Sequence, residues 1–251
     1  MSVGGTRPAF PVLRPVGFSG MLVSFSDILT DQANRAALAF RALVEAAAIP
    51  GVIETSTSLV STFVSFDPRV LSPDALQARL SALLADLDMA QAGPGPGRRL
   101  WRIPTAFGGG EGPQLDEAAG LAGVSPEQAI ADLAARPLRV MAIGFAPGQP
   151  YLGTLAEHWN LPRQGGLTAQ VPAGSVVVAV RQLTLFTNPS ATGWRLVGQT
   201  GFRTFDPQAD DAFALRPGDE VQLVPVSAAD LADIRASRDG SNGGAVCEVL
   251  P

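Results

Sequence analysis

The chain has 251 residues, of which 46% are hydrophobic and 16% charged, and its formal net charge is -5. All 18 basic side chains are Arg, beside a single His and a single Cys. Without Lys there is no P-loop and no point of attachment for biotin. One His and one Cys are too few for a zinc site, which predicts no metal site in this chain. The acidic charge disfavours a nucleic-acid partner.

The chain contains no run of 18 or more apolar residues, so the sequence predicts neither a transmembrane helix nor a membrane partner. The first 17 residues lack the apolar core of a signal peptide. We therefore expect a cytoplasmic protein. Any catalysis is expected to use carboxylates, backbone amides and Arg, or to need a second protein as partner.

The N-terminal part, residues 1–90, shows the pattern of a small α+β domain. Strands are predicted at Gly20 to Phe25, Val52 to Thr55 and Leu59 to Phe66, with helices at Thr30 to Ala48 and from Ser72 onward. Ser72 followed by Pro73 is a typical helix start. Two helices on one face of an antiparallel sheet indicate a ferredoxin-like domain.

A Gly- and Pro-rich linker, residues 91–99, separates this domain from a differently patterned second half. Residues 100–236 begin with a strand, Leu100 to Phe107, and two short helices. Short strands separated by Gly, Pro and Asn follow, predicted at Arg139 to Phe145, Gly174 to Val180, Thr184 to Thr187, Trp194 to Gly198 and Glu220 to Val226. This spacing predicts a closed β-barrel. Residues 237–251 are predicted to be a flexible linker and an extended apolar tail, which either pairs with another protein chain or once continued into a further segment.

Two segments of the second half are unusually rich in turn-forming residues. G-F-A-P-G-Q-P-Y-L-G occupies residues 144–153, and V-P-A-G-S occupies residues 171–175. Such turns expose backbone amides where a ligand could approach, but they are equally typical of structural loops at a barrel rim.

These two segments, followed by G-W-R-L-V-G-Q-T, F-D-P and L-R-P-G-D-E-V in that order, resemble the allophanate hydrolase subunit 1 family, also called the 5-oxoprolinase B subunit or KipI-like family. The resemblance covers about residues 10–226. It implies an N-terminal ferredoxin-like domain and a C-terminal cyclophilin-like β-barrel. It also implies a partner, the allophanate hydrolase subunit 2-like protein or 5-oxoprolinase C subunit, and residues 243–251 look like the junction to that partner.

The chain departs from the family pattern around the expected pocket. Asp132 to Pro137 contains no His, although family members usually carry one there, and Leu138 stands where Tyr is usual. The strand from Val180 to Thr187 keeps only Gln182 of a polar pair. The resemblance therefore implies a retained barrel with an altered pocket.

Three residues are weak catalytic candidates: Glu111, Tyr151 and Gln182. Glu111 could bind an amine or cap a helix, Tyr151 could orient a substrate or pack on the Pro147 turn, and Gln182 suits amide recognition. The predicted substrate-binding residues are Gly144, Phe145, Pro147, Gly148, Tyr151, Pro172, Gly174, Ser175, Gln182 and Arg195. Arg163, Arg181 and Arg195 could each clamp a carboxylate. His158 could be a general base but is expected in a surface loop, and Trp194 is expected to pack in the barrel and not to stack on a ligand.

The resemblance implies the B subunit of an ATP-dependent 5-oxoprolinase, which opens 5-oxoproline to glutamate together with a C subunit and a lactam-hydrolase A subunit. ATP would act at the level of the complex, and this chain alone would be inactive. One alternative is the carboxyltransferase part of a biotin-dependent urea or amide carboxylase, with biotin on another chain. The other is a non-catalytic inhibitor of a sensor histidine kinase.

Overall fold

The structure is a computed structural model that describes residues 9–93, 97–237 and 242–250. The chain divides into two compact units, Met1–Gly95 and Pro96–Pro251. The division falls within the linker predicted at residues 91–99, of which residues 94–96 lie outside the described part.

The first unit is a four-stranded antiparallel sheet with two helices. Its elements are β1 (Val12–Val16), β2 (Gly20–Ser24), α1 (Asp31–Ala46), β3 (Val52–Ser58), β4 (Ser61–Phe66) and α2 (Pro73–Ala85). Within the unit the strand order is β1-β2-β4-β3. The sequence predicts every element except β1, which contains Pro15 and follows Pro11. Proline is tolerated there because β1 pairs within the unit along one edge only, with β2.

Both helices of the first unit contribute to one apolar core on the sheet. Alternate residues of β2 and β4, such as Val23 and Val64, are buried together with Phe40 of α1 and Leu76 of α2. The helix starts follow the sequence: Thr30 Oγ1 accepts a hydrogen bond from the Ala33 amide (3.1 Å) and Ser72 Oγ accepts one from Ala75 (3.2 Å). The α+β pattern is present, whereas the ferredoxin-like assignment remains a prediction.

The second unit contains the remaining elements. They are β5 (Arg99–Phe107), α3 (Leu115–Ala122), α4 (Pro126–Ala134), β6 (Leu138–Ile143), β7 (Pro150–Gly153), β8 (Thr168–Val171), β9 (Ser175–Ala179), β10 (Gln182–Leu185), β11 (Ser190–Thr192), β12 (Arg195–Thr200), β13 (Glu220–Pro225), α5 (Ala228–Ala236) and β14 (Val246–Val249). A 3-10 turn spans Glu157–Trp159. Of these strands the sequence does not predict β7, β8 or β11, which are only three or four residues long.

Seven strands of the second unit close into a barrel, as the sequence predicts. Their order is β6-β13-β5-β12-β9-β10-β7, and β7 pairs again with β6. Only β13 and β5 are parallel among these pairs. Strands β8 and β11 form a separate two-stranded layer.

The barrel interior is apolar. Every one of the seven strands contributes to it, with Ile103, Val140, Leu152, Val178, Leu183, Val197 and Leu223 among the buried side chains. Helices α3 and α4 pack on the same cluster through Leu115 and Leu133. Burial of this continuous apolar surface is the main driving force for closing the barrel.

The C-terminal segment contains an extended strand, β14, where the sequence predicts an extended tail, and this strand pairs with the barrel of the same chain. β14 pairs antiparallel with Arg99–Arg102 of β5, and Asn242 exchanges hydrogen bonds of 2.8 Å with the backbone of Arg203 in both directions. The physical reason lies in β5, since β12 pairs only with its last three residues and leaves the first half of that edge open. Residues 238–241 and 251 lie outside the described part.

None of the helices within residues 9–93, 97–237 and 242–250 is long and apolar enough to cross a membrane.

Candidate functional site

The outer face of strands β7 and β10 carries polar side chains. Leu152 and Leu183 point into the barrel core, so the alternating neighbours Tyr151 and Thr184 face outward. Tyr151 lies opposite Thr184, and Gly153 lies opposite Gln182. Beside them an outer apolar cluster joins β9 and β12 to the β8 layer: Val171, Val177, Ala179, Phe186, Trp194 and Leu196.

A pocket of about 400 Å³ opens on this outer face. Gln149, Tyr151, Thr184 and Phe186 lie on the β7–β10 side of the pocket. The remaining lining residues come from Phe145, from the loop before β8, from β11 and from the β11–β12 turn: Phe145, Arg163, Gln164, Leu167, Ala191, Thr192, Gly193 and Trp194. The pocket is therefore built from the second unit alone.

Arg163 gives this pocket a positive charge. Its guanidinium carbon lies 5.8 Å from the centre of the Trp194 ring, which is cation–π distance. Arg163 has no ion-pair partner among the described residues, and neither Asp nor Glu is among the described residues that line the pocket. The pocket consequently favours an anionic group, although the whole chain is acidic.

Several hydrogen-bonding groups of the pocket lack protein partners within the described residues. Gln149 is 1% exposed, and its side-chain oxygen accepts no hydrogen bond. The Tyr151 hydroxyl is likewise without a hydrogen bond. Thr184 differs, since its hydroxyl donates to the Pro150 carbonyl at 2.6 Å. Buried polar groups are usually paired with protein or water, so the unpaired Gln149 oxygen has capacity for a bound water or a ligand.

The Trp194 wall is held in place by a chain of amide hydrogen bonds. Gln164 Nε2 donates to the Trp194 carbonyl (2.9 Å), and Gln114 Nε2 donates to Gln164 Oε1 (2.8 Å). Gln114 Oε1 in turn accepts from the Leu196 amide (2.9 Å). The rings of Tyr151 and Trp194 meet edge to face, with centroids 6.0 Å apart. These contacts fix the wall before any ligand arrives.

The predicted 144–153 segment contributes Phe145, Gln149 and Tyr151 to the pocket. Phe145 is 75% exposed, has φ +72°, and meets Phe186 edge to face at 6.4 Å. A large exposed residue in the left-handed region is uncommon and is a reason to look for function. Gly148 serves the turn instead, because a Cβ there would lie 2.8 Å from the Thr204 carbonyl oxygen. Gly144 and Pro147 belong to the loop but do not line the pocket.

The predicted 171–175 segment lies elsewhere. Gly174 lines a separate cavity of about 180 Å³ with Thr200, Arg203 and Arg235. A Cβ on Gly174 would lie 2.4 Å from the Thr200 carbonyl oxygen, so glycine is needed for this close approach. Pro172 is exposed, and Ser175 is fully buried and lines neither cavity.

Three charged candidates are engaged in ion pairs outside the pocket. Glu111 binds Arg235 of α5 (3.2 Å) and Arg181 binds Glu157 (2.6 Å). Arg195 binds Glu117 (2.8 Å). Of the three arginines proposed as carboxylate clamps, Arg163 alone lines the pocket.

Gln182 is 7% exposed and its Nε2 has no hydrogen-bond partner in the described residues. It lies on the outer face of β10, next to Thr184 in the outward alternation, but does not line the pocket.

His158 lies against helix α4. Its Nε2 is 2.8 Å from Asp132 Oδ2, so the single His contacts the segment where the family resemblance implies a His. Burial tends to raise the pKa of Asp132, but hydrogen bonds from Gln128 and His158 outweigh it and lower that pKa. No group of three or more His, Cys, Asp or Glu in the described ranges is placed to hold a metal ion.

Sequence reasoning missed Gln149, Gln164 and Thr184 as pocket residues. Gln149 lies within the quoted 144–153 motif, two positions before Tyr151. Strand alternation from Tyr151 would therefore have placed Gln149 on the same face. Gln164 carries no local signal, because its place depends on contacts with Gln114 and Trp194.

The second unit is a closed β-barrel with a pocket on its outer face, and helices α3 and α4 pack on its apolar cluster. The family model described as "Carboxyltransferase domain, subdomain C and D" matches residues 11–215. The chain belongs to this family, which confirms the resemblance to allophanate hydrolase subunit 1 and the 5-oxoprolinase B subunit.

Individual relatives agree with this family. The chain is 30% identical over 232 residues to the 5-oxoprolinase B subunit of Bacillus subtilis, covering 87% of this chain and 94% of the relative. It superposes on TTHA0988 with a TM-score of 0.70 and 30% identity, covering 86% of this chain but only 40% of that longer one. Urea amidolyase of K. lactis has a TM-score of 0.73 at 18% identity, over 95% of this chain and 16% of that one, and shows the same fold.

Proposed function

We propose that this chain is the B subunit of an ATP-dependent 5-oxoprolinase complex and that the outer-face pocket binds 5-oxoproline. The observation that carries this proposal is that one pocket holds both the Arg163 guanidinium, which has no ion-pair partner among the described residues, and the Tyr151 hydroxyl, which has no hydrogen bond among them. The relative from Bacillus subtilis, which matches over 94% of its own length, bears the name of that component.

The substrate and the pocket are chemically complementary. 5-Oxoproline carries a carboxylate, a lactam amide and apolar ring methylenes. Arg163 supplies a cation for the carboxylate, and the free Tyr151 hydroxyl supplies a donor for the lactam carbonyl. Trp194 and Phe186 supply apolar surface for the ring. A donor on the carbonyl polarises it and favours attack at that carbon, so this chain would bind, orient and polarise the lactam.

ATP does not fit the pocket of this chain. Among the described residues, a single guanidinium lines the pocket, and it matches one carboxylate better than the several charges of a triphosphate. The chain also lacks Lys for a P-loop. We therefore place ATP in the complex but outside this pocket.

The complex in this proposal also contains a C subunit and a lactam-hydrolase A subunit in the cytoplasm, and this chain alone is inactive. The finer fold assignments belong to the same proposal. We further propose that the barrel is cyclophilin-like and that the first unit is a ferredoxin-like variant. Its support is the split arrangement in which β4 pairs with both β2 and β3.

Reconstitution tests the proposal. The chain is combined with its two partner proteins, the lactam hydrolase and the C subunit, and ATP hydrolysis is measured with and without 5-oxoproline. We expect ATP hydrolysis that depends on 5-oxoproline, and we expect Arg163→Met to raise the KM for 5-oxoproline roughly tenfold or more, because a charge-assisted hydrogen bond is lost. Arg79→Met is the matched control, since Arg79 is exposed on α2. Absence of 5-oxoproline-dependent hydrolysis would overturn the function.

The second candidate is the carboxyltransferase part of a biotin-dependent carboxylase, which the description of the family model favours. Biotin would then have to be attached to another chain, because this one contains no Lys. Avidin capture of the assembled complex distinguishes the two functions. Capture through a biotinylated partner, with carboxylation of urea or an amide, would replace the 5-oxoprolinase proposal.

A further inference from the structure

Gln149 is the buried polar residue of the pocket that the proposed function leaves unused. It lies immediately before β7, where its backbone is fixed by two hydrogen bonds: its amide donates to Ala146 (3.1 Å) and its carbonyl accepts from Gly144 (3.0 Å). The side chain is 1% exposed. Its position is therefore set by the turn, independently of any side-chain hydrogen bond.

The side-chain amide of Gln149 has hydrogen-bonding capacity that the protein does not use. Its Oε1 is buried without a donor, and Nε2 has no acceptor among the described residues. The buried, unsatisfied Oε1 destabilises the folded protein, whereas the Thr184 hydroxyl nearby is satisfied by the Pro150 carbonyl. A ligand that donates a hydrogen bond to Oε1 would remove this cost, and Nε2 offers a donor to the same ligand.

A primary amide can pair at two points with a cis amide. The oxygen of the primary amide accepts a hydrogen bond from the N–H of the cis amide. The nitrogen of the primary amide donates a hydrogen bond to the carbonyl oxygen of the cis amide. A lactam holds N–H and C=O on the same edge because the ring enforces the cis form. An open-chain secondary amide is trans and does not present this edge. Arg163 is a separate contact for a carboxylate on the same ligand.

The geometry points to Gln149 as the specificity-determining residue of the pocket, recognising the cis N–H/C=O edge of a small lactam carboxylate. This inference rests on the proposed function and deepens it. Two residues would then recognise different parts of the ligand. Gln149 binds the amide edge, and Arg163 binds the negatively charged carboxylate.

The test compares two ligands that differ at one ring atom. Calorimetry measures binding of 5-oxoproline and of its lactone analogue, which has oxygen in place of N–H, to the full chain and to the complex without ATP. We expect the wild type to prefer the lactam about tenfold or more, because the lactone places a ring oxygen against Gln149 Oε1. Gln149→Met, which is close in volume, should bind both ligands with equal affinity.

Gln208→Met is the matched control, since Gln208 is exposed and outside the pocket. It should retain the full preference for the lactam. If Gln149→Met does not fold, the wild-type comparison with N-methyl-5-oxoproline still decides, and we expect N-methylation to weaken binding at least tenfold.

Equal affinity of the wild type for lactam and lactone overturns the role of Gln149, as does a Gln149→Met protein that keeps the preference. Absence of 5-oxoproline binding to both chain and complex also overturns it. The first two results leave 5-oxoproline-dependent ATP hydrolysis by the reconstituted complex unaffected, whereas the third also overturns the proposed site for 5-oxoproline. A wrong assignment of Gln149 is therefore distinguishable from a wrong function.

Discussion

Strands β7 and β10 present two faces of opposite character. Leu152 and Leu183 on the inner face are fully buried among apolar side chains from the whole barrel. On the outer face, the Tyr151 hydroxyl makes no hydrogen bond within the described residues. Side chains on the inner face make all their contacts within the protein, whereas the Tyr151 hydroxyl on the outer face is available to a ligand. Stability and function are thus separated across one pair of strands.

The largest effect is expected from the inner face. Leu183→Ala should lower the free energy of unfolding of the barrel unit by about 3 kcal/mol, because it leaves a cavity in a fully buried cluster. Urea unfolding followed by tryptophan fluorescence measures this, since Trp101, Trp159 and Trp194 all lie in the second unit. A loss below about 1 kcal/mol would contradict an interior packed at native density.

An intermediate effect is expected from Thr184, the outer-face residue whose hydrogen bond is internal. Thr184→Val keeps the shape but removes the donor to the Pro150 carbonyl. The free energy of unfolding should fall by about 1 to 2 kcal/mol, measured in the same urea experiment. An unchanged value would mean that this hydrogen bond contributes nothing net, and would weaken the contrast with Tyr151.

The smallest effect on stability is expected from Tyr151. Tyr151→Phe removes a hydroxyl that has no hydrogen bond in the described residues, so the free energy of unfolding should change by less than about 0.5 kcal/mol. Its affinity for 5-oxoproline should nevertheless fall roughly fivefold, because the proposed donor to the lactam carbonyl is lost. Calorimetry provides the affinity. A lower free energy of unfolding with unchanged affinity for 5-oxoproline would contradict this prediction, because the Tyr151 hydroxyl would then stabilise the fold and not bind the ligand.

The barrel could largely be predicted from the sequence because its inner strands are strongly apolar. β9, for example, is buried along its whole length and appears as a run of valines. β7 was missed because it is four residues long and contains both Pro and Gly. Propensity gives little signal over such a length, and pairing with β6 and β10 decides the conformation.

The site was predictable only in part. Phe145 and Tyr151 lie in a motif that carries the family resemblance, so the sequence identified them. Choosing Arg163 over Arg181 and Arg195 was beyond the sequence, because the choice depends on which arginine meets a carboxylate in the folded chain. The unsatisfied state of Gln149 is equally a property of three-dimensional packing.

The pairing of β14 with β5 brings the beginning and the end of the second unit side by side. The Leu250 amide donates to the Arg98 carbonyl at 2.8 Å, and Val249 lies opposite Arg99. A short peptide could therefore join the two ends, and new ends could be opened in an exposed loop such as residues 207–211. The barrel is thus a natural template for circular permutation, in which chain order changes while the pocket is preserved.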